Sequence, residues 1–187
     1  MNQEQLIVAA ALCSALALSS SVTVNAQVTL VNMVPQNRSG ETNQDAEPTI
    51  AVNPSSPLQL VGTAFTWDNL AGIPMTGNAA PIYVSTDGGQ TWSLVFSVPS
   101  TAGATFPTGD ITVHFSGTTV GTTNTLYTGI LHSPEFSMRV YRAADYRLNT
   151  AMTQLDVRTN HVDQPHVEAG GTGQDRVYVG FNNGWGA

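Results

Sequence analysis

The chain contains no lysine, and its 187 residues include only 10% charged side chains. All six basic residues are arginines, set against 13 acidic ones, for a formal net charge of −7. No basic stripe exists, so neither a nucleic acid nor an anionic membrane surface is an expected partner. The single cysteine, Cys13, lies near the N-terminus. Residues 27–187 therefore lack any disulfide, and a packed core has to hold them together. No amphipathic helix period appears after residue 26; Ala143, Ala144 and Ala151 give only local helical tendency. Low charge, frequent Gly and Thr and missing helix patterns point to an all-β protein.

What is present begins with a processing segment. Leu6 to Leu18 is an apolar run, followed by serines and Val24-Asn25-Ala26. This reads as a secretory signal peptide over 1–26, cleaved after Ala26, and the run is too short for a membrane span. It departs from the pattern in having Glu4 and no Lys or Arg before the apolar run. Loss of Glu4 with the leader takes the acidic residues from 13 to 12 against six arginines. The expected destination is extracellular or periplasmic.

The most restrictive local pattern is Ser85-Thr86-Asp87-Gly88-Gly89-Gln90-Thr91-Trp92, or S-x-D-x-G-x-T-W. β-rich residues flank it: Pro81 to Val84 before and Trp92 to Phe96 after. Asp87 offers acceptors to the N–H groups of its own loop, while Gly88 and Gly89 tolerate positive φ. Ser85 and Thr91 stand where they close the turn from both sides, and the Trp92 ring offers an apolar face. An ordinary Gly-Gly hairpin is the competing reading.

Three segments of similar pattern recur. They start at Glu47-Pro48-Thr49-Ile50-Ala51-Val52, Gly109 to Phe115, and Asp163-Gln164-Pro165-His166-Val167-Glu168-Ala169, roughly 55–60 residues apart. Apolar strands follow at Leu60–Phe65, Leu126–Leu131 and Val177–Phe181. Third strands are expected at Ile82–Ser85 and Met138–Arg142, and fourth strands at Trp92–Val98 and Met152–Val157. Ala143-Ala144-Asp145 looks like a degenerate version of the Asp87 turn. Val28 to Val34 reads as one further strand. Four-stranded units repeated in this way are the blades of a β-propeller. About two and a half are present, where closure takes roughly 4–8. The competing architecture is a β-sandwich of about ten strands.

The 85–92 pattern resembles the Asp-box of sialidase-like (BNR-repeat) proteins, and the resemblance extends over residues 45–183. It implies an incomplete part of a six-bladed propeller over 47–187, with blades starting near 47, 109 and 163, a lead-in at 27–46, and remaining blades in a longer chain. It also implies a secreted glycoside hydrolase relative, with a glycan or cell-surface carbohydrate as partner. The box residues Ser85, Asp87, Gly89, Thr91 and Trp92 are structural in that family. Known enzymes of the family grip a sugar carboxylate with three arginines, use a Tyr/Glu nucleophile pair, and donate a proton from an Asp. This chain has no Arg from 39 to 138, and a carboxylate substrate needs a guanidinium clamp. That argues against sialic acid. Asp68, in Phe65-Thr66-Trp67-Asp68-Asn69, occupies a place similar to the family's acid, where Trp67 could raise its pKa by desolvation. The plainer reading of Asp68 is a solvated loop residue.

Other polar clusters bear on binding. Asp45, Glu47, Asp110 and Asp163 lie at the segment starts, where they either cap local backbone or form an acidic ring around a propeller channel. His166 and Glu168 share a strand face with Val167 on the other. The spacing of His161 and His166 fits no common metal motif. His114 and His132 are expected to bond within the sheet. No cofactor or metal is expected. Readings as a non-catalytic glycan- or protein-binding propeller, or as a truncated gene product, stand beside the enzyme reading.

Overall fold

The computed structural model describes residues 28–34, 46–65, 79–99, 110–117, 125–132, 136–147, 152–159, 162–171 and 173–183. The signal-peptide reading, Asp45, Asp68 and His161 lie outside these. The chain divides into two compact units, Met1–Leu30 and Val31–Ala187; the fold is that of the second. Among the described residues no helix is long and apolar enough to cross a membrane.

Among the described residues ten strands form three antiparallel sheets. The first takes β1 (Ala46–Val52), β2 (Leu60–Phe65), β3 (Ala79–Ser85) and β4 (Ser93–Pro99) in sequential order. The second repeats that order with β5 (Ile111–Phe115), β6 (Leu126–His132), β7 (Ser137–Ala143) and β8 (Thr153–Arg158). The third holds β9 (Val162–Gly170) and β10 (Arg176–Asn183). This is an all-β domain of sequentially ordered sheets, consistent with part of a β-propeller.

One correction concerns residues 28–34. Despite three valines they form no strand. The Asn32 side-chain Oδ1 accepts the Val34 N–H at 3.1 Å, bending the chain locally. An Asx-type bond of this kind competes directly with a ladder.

The repeat extends to the backbone. Register slips by one residue between Ala46 and Thr49 in β1, and between Asp163 and His166 opposite Gly180/Asn182 in β9. Glu47 (φ 51°) and Gln164 (φ 50°) occupy the left-handed region at these bulges, each just before a proline. Two unrelated strands would not share so uncommon a conformation at matching places.

Alternation along the inner strands packs the sheets face to face. Ile111, Val113 and Phe115 of β5 meet Ala51, Val61 and Ile82 of the first sheet in one core, joined by Leu126 and Ile130. Phe115 also meets Tyr146 edge-on, with centroids 5.0 Å apart and planes at 88°. On the opposite face of the second sheet, Tyr127 packs on Val167 and Ala169. Each such aliphatic or aromatic side chain contributes about 1.5–3 kcal/mol by leaving water.

β1, β5 and β9 run side by side in the same direction. Thr49 Oγ1 donates to the Ile111 carbonyl at 3.2 Å, and Thr112 Oγ1 accepts the Val167 N–H at 3.1 Å. Backbone groups on the free edges of these strands are thus satisfied by side chains of the next sheet rather than by a ladder.

Candidate functional site

The Asp-box turn links β3 to β4. Asp87 Oδ1 accepts the Ser85 hydroxyl at 2.8 Å and the Thr91 N–H at 3.0 Å, while Oδ2 accepts the Thr91 hydroxyl at 2.6 Å. Ser85 Oγ in turn accepts the Gly89 N–H at 2.9 Å. Gly88 and Gly89 hold φ of 75° and 88°, which explains the two glycines. Trp92 Nε1 donates to the Gly89 carbonyl at 3.0 Å. Its ring also lies against Gly62 of β2, where a Cβ would come within 3.4 Å of Trp92 Cζ3. The turn is therefore held by its own side chains and seated on its own sheet. The turn's side chains bond one another, and the Gly88 N–H donates to the Leu58 carbonyl at 2.9 Å.

These bonds stabilise the ionised carboxylate and pull the Asp87 pKa down to about 2 from 3.8, the Thr91 hydroxyl contributing most. A depressed carboxylate pKa gives stability that is present above the unfolded value and lost as pH falls through the folded one. Wild type should therefore melt above Asp87→Ala by a constant margin over pH 4. That margin should shrink toward zero as pH approaches 2. Thermal melts of both proteins across that range check it, and a margin that persists unchanged at pH 2 counts against the bonding described.

The degenerate turn after β7 works differently. Asp145 Oδ1 accepts the Arg147 N–H at 3.0 Å, and the Arg147 guanidinium pairs with the same carboxylate. The arginine holds the Asp145 carboxyl below its ordinary range. One charged pair replaces the hydroxyl frame of the full box.

The structure brings together three of the acidic residues at the starts of the inner strands. Glu47 hydrogen-bonds Asp110, and both Asp110 and Asp163 act on it electrostatically. The bond to Asp110, followed by desolvation and by repulsion from Asp110 and Asp163, raises the Glu47 pKa. Two adjacent carboxylates disfavour each other's ionisation, which is the sense of the Glu47 shift. At this end of the sheets Phe65, three residues before Asp68, pairs with Ala46, the neighbour of Glu47.

The other end of the inner strands holds a half-open cleft of about 480 Å³, lined by Ile50, Val52, His114, Phe115, Glu168 and Ala169 among others. His114 bonds within its own strand, as expected, and also to the third sheet. Its Nδ1 lies 2.8 Å from the Phe115 carbonyl oxygen and 3.1 Å from the Ala169 N–H, and its Nε2 lies 2.8 Å from Glu168 Oε2. His166 Nε2 meets the other Glu168 oxygen at 3.1 Å, so the two residues do share a face. Repeat alignment was the available signal for the His114 contact, since it sets His114 and Glu168 at the same level of β5 and β9.

His132 bonds within the second sheet, as expected, and is 1% exposed. The Tyr141 hydroxyl of β7 lies 3.5 Å from its Nε2, and its Nδ1 meets no partner among the described residues. Desolvation, with help from Arg139, pushes its pKa down to about 4. It is a neutral core histidine. Among the described residues no group of three His, Cys, Asp or Glu side chains is arranged to hold a metal ion.

The fold thus defines an all-β, propeller-like domain with carboxyl groups converging at one end of its inner strands. No family model and no curated protein matches the chain. It is similar to solved structures of the α-L-arabinofuranosidase Arb93A from Fusarium graminearum. The complex with an iminosugar inhibitor is 17% identical with a TM-score of 0.47, covering 72% of this chain and 40% of that one. The arabinobiose complex of the GH93 α-L-arabinofuranosidase from the same organism is 17% identical with a TM-score of 0.46, covering 73% and 40%. The chain spans 40% of the length of these enzymes.

Proposed function

We propose that this chain is part of a secreted, sialidase-like Asp-box propeller protein that takes a neutral glycoside at the face where Glu47, Asp110 and Asp163 converge. The observation that carries the reading is the convergence of Glu47, Asp110 and Asp163 at one end of the inner strands, where the bond to Asp110 and burial raise the Glu47 pKa. Glycoside hydrolysis needs one carboxyl group that still holds its proton near neutral pH and another that is ionised. Glu47 fills the first role, giving its proton to the leaving oxygen as the glycosidic bond breaks. Asp163 is the partner carboxylate on the same end, placed to activate the water that completes the sugar. Asp110 positions the proton on Glu47. The Asp-box supports assignment to this fold family but supplies no group to the chemistry.

Substrate charge follows from the same end of the molecule. Three carboxyl groups, with no arginine between residues 39 and 138, repel an acidic sugar. A neutral sugar instead offers hydroxyl donors that carboxylates accept. The test is turnover of a panel of aryl glycosides, acidic and neutral, by the full chain. Release of the aryl group from a neutral glycoside supports hydrolysis, while turnover of a sialoside alone contradicts the substrate class. Binding without turnover would leave the non-catalytic, glycan-binding reading in its place.

A further inference from the structure

Phe136 immediately precedes β7. That strand runs in the same direction as β5 and starts at the end of the sheets where Glu47, Asp110 and Asp163 converge. Two backbone bonds fix this place. The Leu131 N–H, near the end of β6, donates to the Asp110 carbonyl at 2.9 Å. The Val162 N–H donates to the Phe136 carbonyl at 3.2 Å, and Asp163 is the next residue. The junction of β6 and β7 is thus tied to Asp110 on one side and to the neighbour of Asp163 on the other.

The conformation of Phe136 runs against packing. Its φ is 47°, in the left-handed region that a bulky side chain rarely enters. Among the described residues the other non-glycine cases are Glu47 and Gln164, at the same end of the sheets. Strain of this kind gathers at functional sites. Strand alternation would set Phe136 on the face of Met138 and Val140, which are buried against Val162. The left-handed backbone breaks that alternation, and Phe136 is 41% exposed. Its sheet has the first sheet on one face and the third on the other. Both neighbouring sheets are therefore in place, and neither covers Phe136.

We infer that the Phe136 ring is a stacking platform for the sugar bound at the carboxylate face, which rests on the function proposed above. Carboxyl groups hold a neutral sugar by its hydroxyls. The rest of a sugar ring is a flat patch of C–H groups, and an aromatic side chain offers the matching apolar face. Ligand sites commonly combine a few orienting polar groups with aromatic surface in this way. The platform selects a neutral sugar with one face free of axial hydroxyls, because a hydroxyl on that face lifts the ring off the phenyl group.

The test compares the full chain with Phe136→Gly, Phe136→Tyr and Asp163→Asn on an array of neutral glycans and in thermal melts. Glycine takes the left-handed backbone without steric cost. Phe136→Gly should therefore melt at or above wild type, while its apparent affinity falls roughly tenfold. Phe136→Tyr keeps the ring and should bind within about threefold of wild type. Full binding by Phe136→Gly where Asp163→Asn has lost it overturns the platform and leaves the carboxylate face standing. Loss in Phe136→Gly with full binding by Asp163→Asn takes the sugar off the carboxylates and removes the reading beneath the inference. A wild type that binds no neutral glycan overturns both. Phe136→Gly melting well below wild type marks the ring as packing and overturns the platform, as does Phe136→Tyr binding no better than Phe136→Gly.

Discussion

Gly129→Ala lowers the melting temperature of this protein, on the order of 5 °C for a chain of this size, and Val167→Ala in the same chain removes the effect. The added Cβ would stand 2.6 Å from Val167 Cγ2 and 3.4 Å from Pro165 Cβ. Neither neighbour can retreat easily. Val167 is stiff at χ1, and its backbone N–H is pinned by Thr112 Oγ1 at 3.1 Å. Overpacking of a tight core joint costs about 1–3 kcal/mol. Val167→Ala alone also destabilises, by loss of buried methyl groups. It opens the space that the new methyl needs, so adding Gly129→Ala to it should cost nothing further. A double-mutant cycle in thermal or urea melts measures this coupling. Simple additivity would mean that the second and third sheets do not meet at this point.

Glu47→Gln should abolish glycoside turnover while making the folded protein more stable at neutral pH. Losing a general acid typically costs about a hundredfold to ten-thousandfold in rate. The stability change has the opposite sign for a definite reason. The Glu47 pKa is raised in the folded state. A raised carboxyl pKa gives stability that is complete below the unfolded value and lost as pH rises through the folded one. Glutamine keeps the neutral form at every pH. The variant should therefore match wild type near pH 3 and exceed it at pH 7. Loss of turnover with loss of stability would instead mark Glu47 as a structural residue, and unchanged turnover would remove it from the chemistry.

Much of this architecture was legible in the sequence because repetition and alternation are one-dimensional signals. The strand starting at Leu60 and that starting at Leu126 follow from apolar runs bounded by turn residues. The Asp-box turn follows from residue chemistry at fixed offsets, its side chains bonding within seven positions of Ser85. The segment from Val28 to Val34 shows where such reading fails. Its composition suits a strand, but a strand also needs a partner, and Asn32 bonds its own backbone instead. The convergence of Glu47, Asp110 and Asp163 was visible only as an alternative to local capping. Deciding between them required the side-by-side placement of β1, β5 and β9, which no local pattern carries. The same holds for the contacts of His114 to the third sheet, which lie 54 and 55 residues further along the chain. The bulges at Glu47 and Gln164 had a faint signal in the shared X-Pro pair, but their positive φ did not, since a residue before proline ordinarily favours extended backbone.

The central claim is that carbohydrate meets this protein at the start of its inner strands. Binding of the full chain to a glycan array at neutral pH tests it most directly, with Asp163→Asn beside Asp156→Asn, an exposed β8 carboxylate that pairs with Arg158 and accepts the Val157 N–H in its own strand. The account predicts binding to neutral glycans that Asp163→Asn abolishes and Asp156→Asn leaves intact. A silent array, or binding that survives Asp163→Asn unchanged, would contradict it.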